Sequence, residues 1–181
     1  ICAQKHAYKV FAGVVDFGSE EQKDSNNWSE LYQEVTYSEL DTVIDNRKSE
    51  NQKLIEKLFL DGITNKTSKL EKGFLLDIAS GRGMLLRKLL ETTNEQVHII
   101  SSDLSFQVLM YDRMKFAKMN PKVKVSYIAC DATNLAFKNN SIDMVCTFVG
   151  YLNMGNLMEK GIIEAARVLK PTCRLINSVM Y

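Results

Sequence analysis

The chain has 181 residues, of which 45% are hydrophobic and 25% are charged, and its formal net charge is +1. This length suits one folded domain, and the composition is typical of a globular protein rather than a disordered or fibrous one. The near-neutral charge gives no general electrostatic argument for binding nucleic acid. No apolar run approaches the ~20 residues of a transmembrane helix, and we see no signal peptide, so we expect no membrane association.

The first third of the chain is divided by a polar segment, residues 17–30, which indicates a loop or linker. A short β-like stretch precedes it within residues 6–17. Two amphipathic stretches follow, at about 28–45 and 48–65, and their spacing of apolar residues predicts two helices.

From Gly73 onward, short apolar runs alternate with helical stretches. Strands are predicted in FLLDIAS, VHIISSD, VKVSYIACD, SIDMVCTFVG and CRLINSVMY. Continuous apolar strands separated by helices are typical of a parallel sheet that is covered on both faces. The sequence therefore predicts a doubly wound α/β domain that binds its ligands at the carboxyl ends of the strands.

The four cysteines are Cys2, Cys130, Cys146 and Cys173. The last three lie in or beside predicted strands, which favours reduced thiols over a disulfide framework. We therefore expect a cytoplasmic location.

A glycine-containing turn, Asp77-Ile-Ala-Ser-Gly-Arg-Gly83, follows the first of these strands and precedes a helix. Glycine adopts positive φ without a Cβ clash, and a helix N-terminus presents free N–H groups to a ligand. A dinucleotide fingerprint needs glycine at the first, third and sixth positions of the turn. Here the sixth position is Met84 or Leu86, depending on the starting residue, which disfavours a nicotinamide cofactor.

The same turn resembles motif I of the class I S-adenosylmethionine-dependent methyltransferases, whose fold is Rossmann-like. The resemblance implies that Asp77 holds the methionine amino group of the cofactor, directly or through water. It also implies that Ala79, Gly81 and Gly83 lie against the methionine part, although glycine is commoner than alanine at position 79. An ionised acceptor binds an ammonium group more strongly than a neutral one does.

Acidic residues end the next two strands. Asp103 can accept two hydrogen bonds from a ribose diol, or it can cap the following helix. The resemblance assigns Asp103 to the ribose and Leu104 to the adenine. It likewise implies that the side chain of Asp131 and the backbone of Ala132 bind the adenine edge.

The resemblance extends over about residues 74–177. Phe148, at the end of a later strand, is a further candidate for cofactor contact. Asp143 and His98 lie early in their strands, away from the carboxyl edge, so we interpret both as structural.

The sequence assigns no catalytic acid or base. Methyl transfer from a sulfonium depends mainly on positioning, and a base is needed only when the acceptor is protonated. The loop at 151–154 should face the acceptor, and Tyr151 and Asn153 are candidates for contacting it. Packing of Tyr151 in the core is an equal alternative.

The N-terminus contains Cys2-x3-His6 followed by Gly-Val-Val-Asp-Phe17. It resembles the second half of the zinc ribbon that precedes some bacterial methyltransferase domains. The resemblance implies that Cys2 and His6 bind zinc together with two further upstream ligands. A terminus without metal is an equal alternative.

Three parts are therefore predicted: a ribbon remnant at 1–17, a linker with helices at 18–66, and a cofactor-binding core at 67–181. The family fold normally adds a helix and an antiparallel strand pair after the last strand seen here. We therefore expect those C-terminal strands to be missing.

The predicted function is methyl transfer from S-adenosylmethionine to an unidentified acceptor, and the neutral charge favours a small molecule. Ribosomal RNA guanine methyltransferases of the large subunit carry a similar ribbon, which makes RNA the second candidate. A basic face formed by Lys115, Lys118, Lys122 and Lys124 would support it. A non-catalytic cofactor-binding protein is the third candidate, and a nicotinamide oxidoreductase is the weakest.

Overall fold

The computed structural model describes residues 8–18 and 37–178. Its strands are β1 (Lys9–Phe11), β2 (Val14–Asp16), β3 (Gly73–Ile78), β4 (Val97–Asp103), β5 (Lys124–Ala129), β6 (Ile142–Phe148) and β7 (Leu169–Ser178). Within the described residues these seven strands form one sheet in the order β1-β2-β5-β4-β3-β6-β7. All neighbouring strands are parallel except the β1–β2 pair. The predicted doubly wound, mainly parallel α/β fold is confirmed.

Helices lie between the strands. They are α1 (Tyr37–Arg47), α2 (Glu50–Thr67), α3 (Met84–Thr92), α4 (Phe106–Phe116), α5 (Gly150–Asn153) and α6 (Met158–Val168), with a 3₁₀ turn at Gly155–Leu157. A capping box starts α2, because Ser49 and Gln52 each bond the other's backbone N–H through their side chains. The short α5 occupies part of the segment that the sequence predicted as a loop. No helix in the described ranges combines the length and the hydropathy that a bilayer crossing requires.

The core lies on both faces of the sheet. Leu75 of β3 packs in one apolar layer with Leu86 and Leu89 of α3, whereas the adjacent Leu76 packs in the opposite layer with Val168 of α6. All five side chains are fully buried. Because successive strand residues point to opposite faces, a sheet covered on both sides needs apolar residues at successive positions. This explains the continuous apolar runs.

The N-terminal hairpin extends the core sheet. Ala12 and Gly13 have φ of 47° and 77°, the left-handed conformation that suits a two-residue hairpin turn. Val14 of β2 is fully buried and pairs with Tyr127 of β5. The expected ribbon remnant at 1–17 therefore includes a segment that is hydrogen-bonded into the sheet. Cys2 and His6 lie outside the described residues, within which no three potential ligands cluster as a metal site would require.

Helix α1 packs against α4, and α2 packs on one face of the sheet. Leu40 and Ile44 of α1 contact Val108 of α4, whereas α2 packs against α3, β6 and β7. Asp41 of α1 accepts a hydrogen bond of 2.6 Å from Arg82 of the glycine turn. The two N-terminal helices therefore border the predicted ligand site.

The opposite edge of the sheet holds the two residues that the sequence assigned to structure. Asp143 accepts hydrogen bonds from the backbone N–H of Phe74 (2.8 Å) and from the Lys170 ammonium (2.6 Å). His98 is 2.9 Å from the hydroxyl of Ser126. Both placements agree with the structural interpretation.

Arg167 of α6 holds the loop that follows Asp131. Its guanidinium forms bonds of 2.7 Å with each oxygen of Glu164 and donates to the carbonyls of Leu135 (2.9 Å) and Phe137 (2.8 Å). Charge-assisted bonds of this kind are stronger than neutral ones.

We expect Arg167→Met to lower the free energy of unfolding by about 1.5–3 kcal/mol, because the two carbonyls and the Glu164 carboxylate lose their donor. Urea denaturation measures this change. Arg167→Lys is the matched control and should lose less, since it keeps the charge. Equal stability of Arg167→Met and the wild type would contradict the assignment.

Candidate functional site

The glycine turn adopts an unusual backbone path at the carboxyl end of β3. Ala79, Gly81 and Gly83 all have positive φ, at 52°, 53° and 70°. Neighbouring β4 fixes this path, because Ser80 N–H donates to the carbonyl of Ser102 (2.9 Å) and Gly81 N–H donates to Asp103 Oδ2 (2.9 Å). A positive φ at alanine costs about 1–2 kcal/mol, so the turn is strained at Ala79.

A cavity of about 540 Å³ opens above this turn. Its size is that of a pocket for a small molecule or cofactor. Eight of the nine residues that the sequence assigned to the cofactor line it: Asp77, Ala79, Gly81, Asp103, Leu104, Asp131, Ala132 and Phe148. The parallel sheet thus brings together residues that are far apart in the chain.

Gly83 is the exception, because it does not line the cavity. It precedes the first residue of α3, and a Cβ there would come within 2.6 Å of Asp112 Oδ2 and 2.5 Å of Phe116 Cε2. Gly83 therefore serves close packing of the turn against α4, and the predicted contact with the cofactor is not seen in the cavity lining.

Asp77 has an unusual environment for a carboxylate in the cavity wall. Its side chain is fully buried, and neither oxygen has a hydrogen-bond partner among the described residues. Burial, together with the nearby charge of Asp103, raises the pKa of Asp77 well above its usual value. A buried carboxylate without a partner is costly, so this site favours a ligand that brings a cation or a hydrogen-bond donor.

Asp103 holds the turn that surrounds the cavity. Its Oδ2 accepts from Gly81 N–H and its Oδ1 accepts from Ser105 N–H, both at 2.9 Å. Burial raises its pKa, and these backbone donors oppose the effect. The cap of α4 is Ser105, whose hydroxyl accepts from Val108 N–H. The alternative that Asp103 caps this helix is therefore wrong, although Asp103 does orient the residues before it.

Asp131 orders the opposite wall. Its Oδ1 accepts from both the backbone N–H (2.8 Å) and the hydroxyl (2.9 Å) of Thr133. This turn places Asp131 and Ala132 side by side in the cavity lining.

The segment after β6 forms the remaining wall. Phe148, Val149, Asn153 and Met154 line the cavity. Tyr151 does not: it is 1% exposed, and its hydroxyl donates to the carbonyl of Gly161 (3.4 Å). Of the two residues predicted to contact the acceptor, the structure places Asn153 at the cavity and Tyr151 in the core.

Val149 was missed by sequence reasoning although its backbone is unusual. It has φ of 62°, which is an outlier for a β-branched residue. Strained residues of this kind cluster at functional sites. Nothing in the local sequence signals the strain, because it follows from the tight entry into α5.

Glu56 and Arg82 were also missed, and both line the cavity. Glu56 comes from α2, remote in sequence from the turn. The amphipathic pattern predicts the helix, but it does not indicate which polar residue meets a cavity.

Residues 75–172 match the sequence model of a family described as a methyltransferase domain. The match covers more than half of the 181 residues. The chain belongs to the methyltransferase domain family.

Relatives and solved structures agree with this membership. The chain is 29% identical over 101 residues to the ubiquinone/menaquinone biosynthesis C-methyltransferase of Brucella canis, covering 56% of this chain and 37% of that protein. The match therefore spans well under half of that relative. The fold is similar to that of an Aquifex aeolicus SAM-dependent methyltransferase, with a TM-score of 0.56, 19% identity, and coverage of 65% of this chain and 62% of that one. It is also similar to Haemonchus contortus phosphoethanolamine N-methyltransferase 2 in complex with S-adenosyl-L-methionine, with a TM-score of 0.52, 24% identity, and coverage of 65% and 27%.

A second fully buried acid lies directly behind the turn of this methyltransferase domain. Asp112 of α4 is fully buried, and neither of its oxygens has a hydrogen-bond partner among the described residues. Burial raises its pKa to about 8; Lys115 opposes this shift, and the charges of Asp103, Asp41 and Asp77 add to it.

We expect Asp112→Asn to flatten the pH dependence of stability between pH 5 and 8. The unfolded chain loses the Asp112 proton near pH 4, whereas the folded chain holds it until about pH 8. The folded state therefore binds more protons across this window, and its stability falls as pH rises. The variant should remove a slope of about 1 kcal/mol per pH unit.

Urea denaturation at pH 5, 6.5 and 8 measures this slope. Asp61→Asn is the control, because Asp61 of α2 forms a half-exposed ion pair with Lys88. Equal slopes for wild type and Asp112→Asn would show that Asp112 is already ionised in the folded protein.

Proposed function

We propose that this protein transfers a methyl group from S-adenosylmethionine to a small-molecule acceptor. The observation that carries the proposal is the buried, unpartnered carboxylate of Asp77 beneath a turn with positive φ. A ligand ammonium would supply the missing partner of this carboxylate. S-adenosylmethionine, when bound, supplies an activated methyl group.

The residues present fit this cofactor. Asp77 would hold its amino group, and Ala79 and Gly81 would border its methionine part. Asp103 would bind the ribose while its backbone bonds keep the turn in place. Asp131 and Ala132 would bind the adenine edge, Leu104 would pack on the adenine, and Phe148 is a further candidate for cofactor contact.

The protein itself would contribute to catalysis mainly by positioning the acceptor. Placing a nucleophile about 3 Å from a reactive carbon can supply roughly 7–11 kcal/mol of the barrier. The wall formed by Val149, Asn153 and Met154 would orient the acceptor and keep water away.

A small acceptor is favoured over RNA. Apolar residues, among them Met84, Phe148, Met154 and Leu157, line the cavity. Lys115, one of the four lysines of the predicted basic face, forms an ion pair with Asp41 instead of standing free. The related enzyme of Brucella canis is named for ubiquinone/menaquinone biosynthesis, and quinones are small molecules.

Other predictions from the sequence stay proposals. They include the division of the chain into three parts after residues 17 and 66, zinc binding by Cys2 and His6, and the cytoplasmic location. Cys130 and Cys146 are buried free thiols, in agreement with the expected reduced core.

Calorimetric titration with S-adenosylmethionine, with NAD as the control ligand, tests the cofactor. We expect binding of S-adenosylmethionine alone, because the turn lacks the third glycine of a dinucleotide site. Binding of NAD, or of neither ligand, would overturn the proposed function.

Asp77→Asn should weaken S-adenosylmethionine binding by about tenfold or more, since a charged hydrogen bond contributes about 1.5–3 kcal/mol. Asp143→Asn is the control, because that acid lies at the opposite edge of the sheet. Unchanged affinity of Asp77→Asn would remove Asp77 from the site.

Asp103→Ala should weaken the same binding by about 1.5–3 kcal/mol. It should also loosen the turn, because Gly81 N–H loses its acceptor. Asp103→Asn separates the two effects, since its amide oxygen still accepts one backbone bond. Wild-type affinity in both variants would contradict the ribose assignment.

A further inference from the structure

Arg82 differs in charge from the other ionised residues that line the cavity. Within the part of the chain that the structure describes, the lining contains one cation, Arg82, and four acids, Glu56, Asp77, Asp103 and Asp131. Acids repel an anionic group of a ligand, whereas a cation attracts it. The methionine part of S-adenosylmethionine carries a carboxylate as well as the ammonium group that would pair with Asp77. Arg82 is therefore the lining residue whose charge suits this carboxylate.

The guanidinium of Arg82 is anchored but is not saturated with hydrogen bonds. An arginine side chain carries five N–H donors. Its Nη1 donates to Asp41 Oδ1 at 2.6 Å, and its Nη2 lies 3.9 Å from Met84 Sδ and 3.8 Å from Asp45 Oδ1. Its Nε has no hydrogen-bond partner among the described residues. The side chain is thus held by α1 and keeps donors for a second carboxylate.

The acids of α1 offset the charge of Arg82 only in part. Asp41 also accepts a hydrogen bond from the Lys115 ammonium, so one carboxylate is shared by two cations. The side chain of Asp45 is 62% exposed and is itself paired with Lys48. Exposed pairs of this kind contribute little because water screens them. A ligand carboxylate would therefore meet a guanidinium that still carries most of its attraction.

The N-terminus of α3 adds backbone donors at the same place. Gly83 N–H donates to the carbonyl of Ser80 at 3.1 Å, which closes a turn with Arg82 at its third position. Helix α3 begins at the next residue, Met84, and no side chain among the described residues caps it. Met84 and Leu85, in its first turn, line the cavity. Because the first N–H groups of a helix lack intrahelical partners, they attract anions.

We propose that Arg82, together with the N-terminus of α3, binds the carboxylate of the methionine part of S-adenosylmethionine, and so selects cofactors with an intact α-amino acid group. Asp77, in the same cavity lining, is fully buried and unpartnered, as a site for the amino group requires. Both groups of an α-amino acid lie on one carbon, so their partners must be close together, and a single short turn provides both. This inference deepens the proposed function and rests on it.

The test compares S-adenosylmethionine with decarboxylated S-adenosylmethionine, which keeps the sulfonium and the amine but lacks the carboxylate. Each ligand is titrated calorimetrically into the wild-type protein. S-adenosylmethionine should bind about tenfold more tightly or better, because its carboxylate adds charge-assisted hydrogen bonds. The analogue carries the greater positive charge, so attraction to the acidic lining alone would favour it. Equal affinities, or tighter binding of the analogue, would overturn the role of Arg82.

Arg82→Met should reduce this preference to less than about threefold, or reverse it, by weakening the binding of S-adenosylmethionine more than that of the analogue. Arg82→Lys should keep part of the preference, because it keeps the charge but loses the planar fork of donors. Arg87→Met is the matched control, since Arg87 is an exposed arginine of α3, and it should keep the full preference. A preference that survives Arg82→Met undiminished would contradict the assignment.

Arg82 also holds α1 through Asp41, so a structural role must be separated from ligand binding. Asp41→Asn removes this ion pair but leaves the guanidinium in the turn. The preference for S-adenosylmethionine should persist or increase in this variant, because Arg82 is freed for the ligand. If Arg82 only supported α1, Arg82→Met and Asp41→Asn would weaken both ligands alike and leave the preference unchanged.

The two proposals fail in different ways. If the wild type binds neither ligand, the proposed function is wrong. If it binds S-adenosylmethionine without preferring it to the decarboxylated analogue, or if Arg82→Met keeps the preference, the role of Arg82 is wrong and the cofactor assignment stands.

Discussion

The buried carboxylate of Asp77 is the constraint on which the site depends. The parallel sheet carries it to the carboxyl end of β3, where the turn above it leaves both oxygens without a partner. Asp103 and Asp112 lie close enough for their charges to influence one another. A fold that gathers three acids in one place is less stable than one without them. That cost is consistent with a site built for a cationic ligand, because such a ligand offsets part of the repulsion.

A chain of ion pairs joins the glycine turn to Glu56 in the cavity wall. Arg82 in the turn contacts Asp41 and Asp45 of α1, and Asp45 shares Lys48 with Glu56 of α2. Isolated surface pairs contribute little, but a network of partly buried ones fixes side-chain positions more firmly. These pairs also hold α1 and α2 beside the site, because Asp41 of α1 pairs with Arg82 of the turn and Glu56 of α2 pairs with Lys48. One connected group of side chains therefore joins the glycine turn to α1 and α2.

Much of the site could be predicted because its signals are local. A strand, a small-residue turn and a helix follow one another in the sequence, so Asp77, Ala79 and Gly81 were identified from spacing and resemblance. Gly83 and Tyr151 show the limit of this reasoning. Both are adjacent in sequence to residues that line the cavity. Gly83 packs against α4 and Tyr151 packs against α6, so neither of them lines it. Glu56 could not be predicted as a lining residue, because tertiary contacts decide which face of a helix meets a cavity.

Two strained residues explain how the cavity keeps its shape. Ala79 and Val149 both have positive φ, and they follow β3 and β6, which are neighbours in the sheet. Each such conformation costs about 1–2 kcal/mol, so it persists only where the surrounding structure enforces it. Gly150 permits the two turns to approach closely: a Cβ there would come within 2.9 Å of Ala79 Cβ and would overlap Thr147 Oγ1. The two turns therefore pack against each other at a position where a side chain would not fit. A reaction that depends on placing two groups about 3 Å apart benefits from closely packed walls, and in a methyltransferase domain the strained turns would serve that placement.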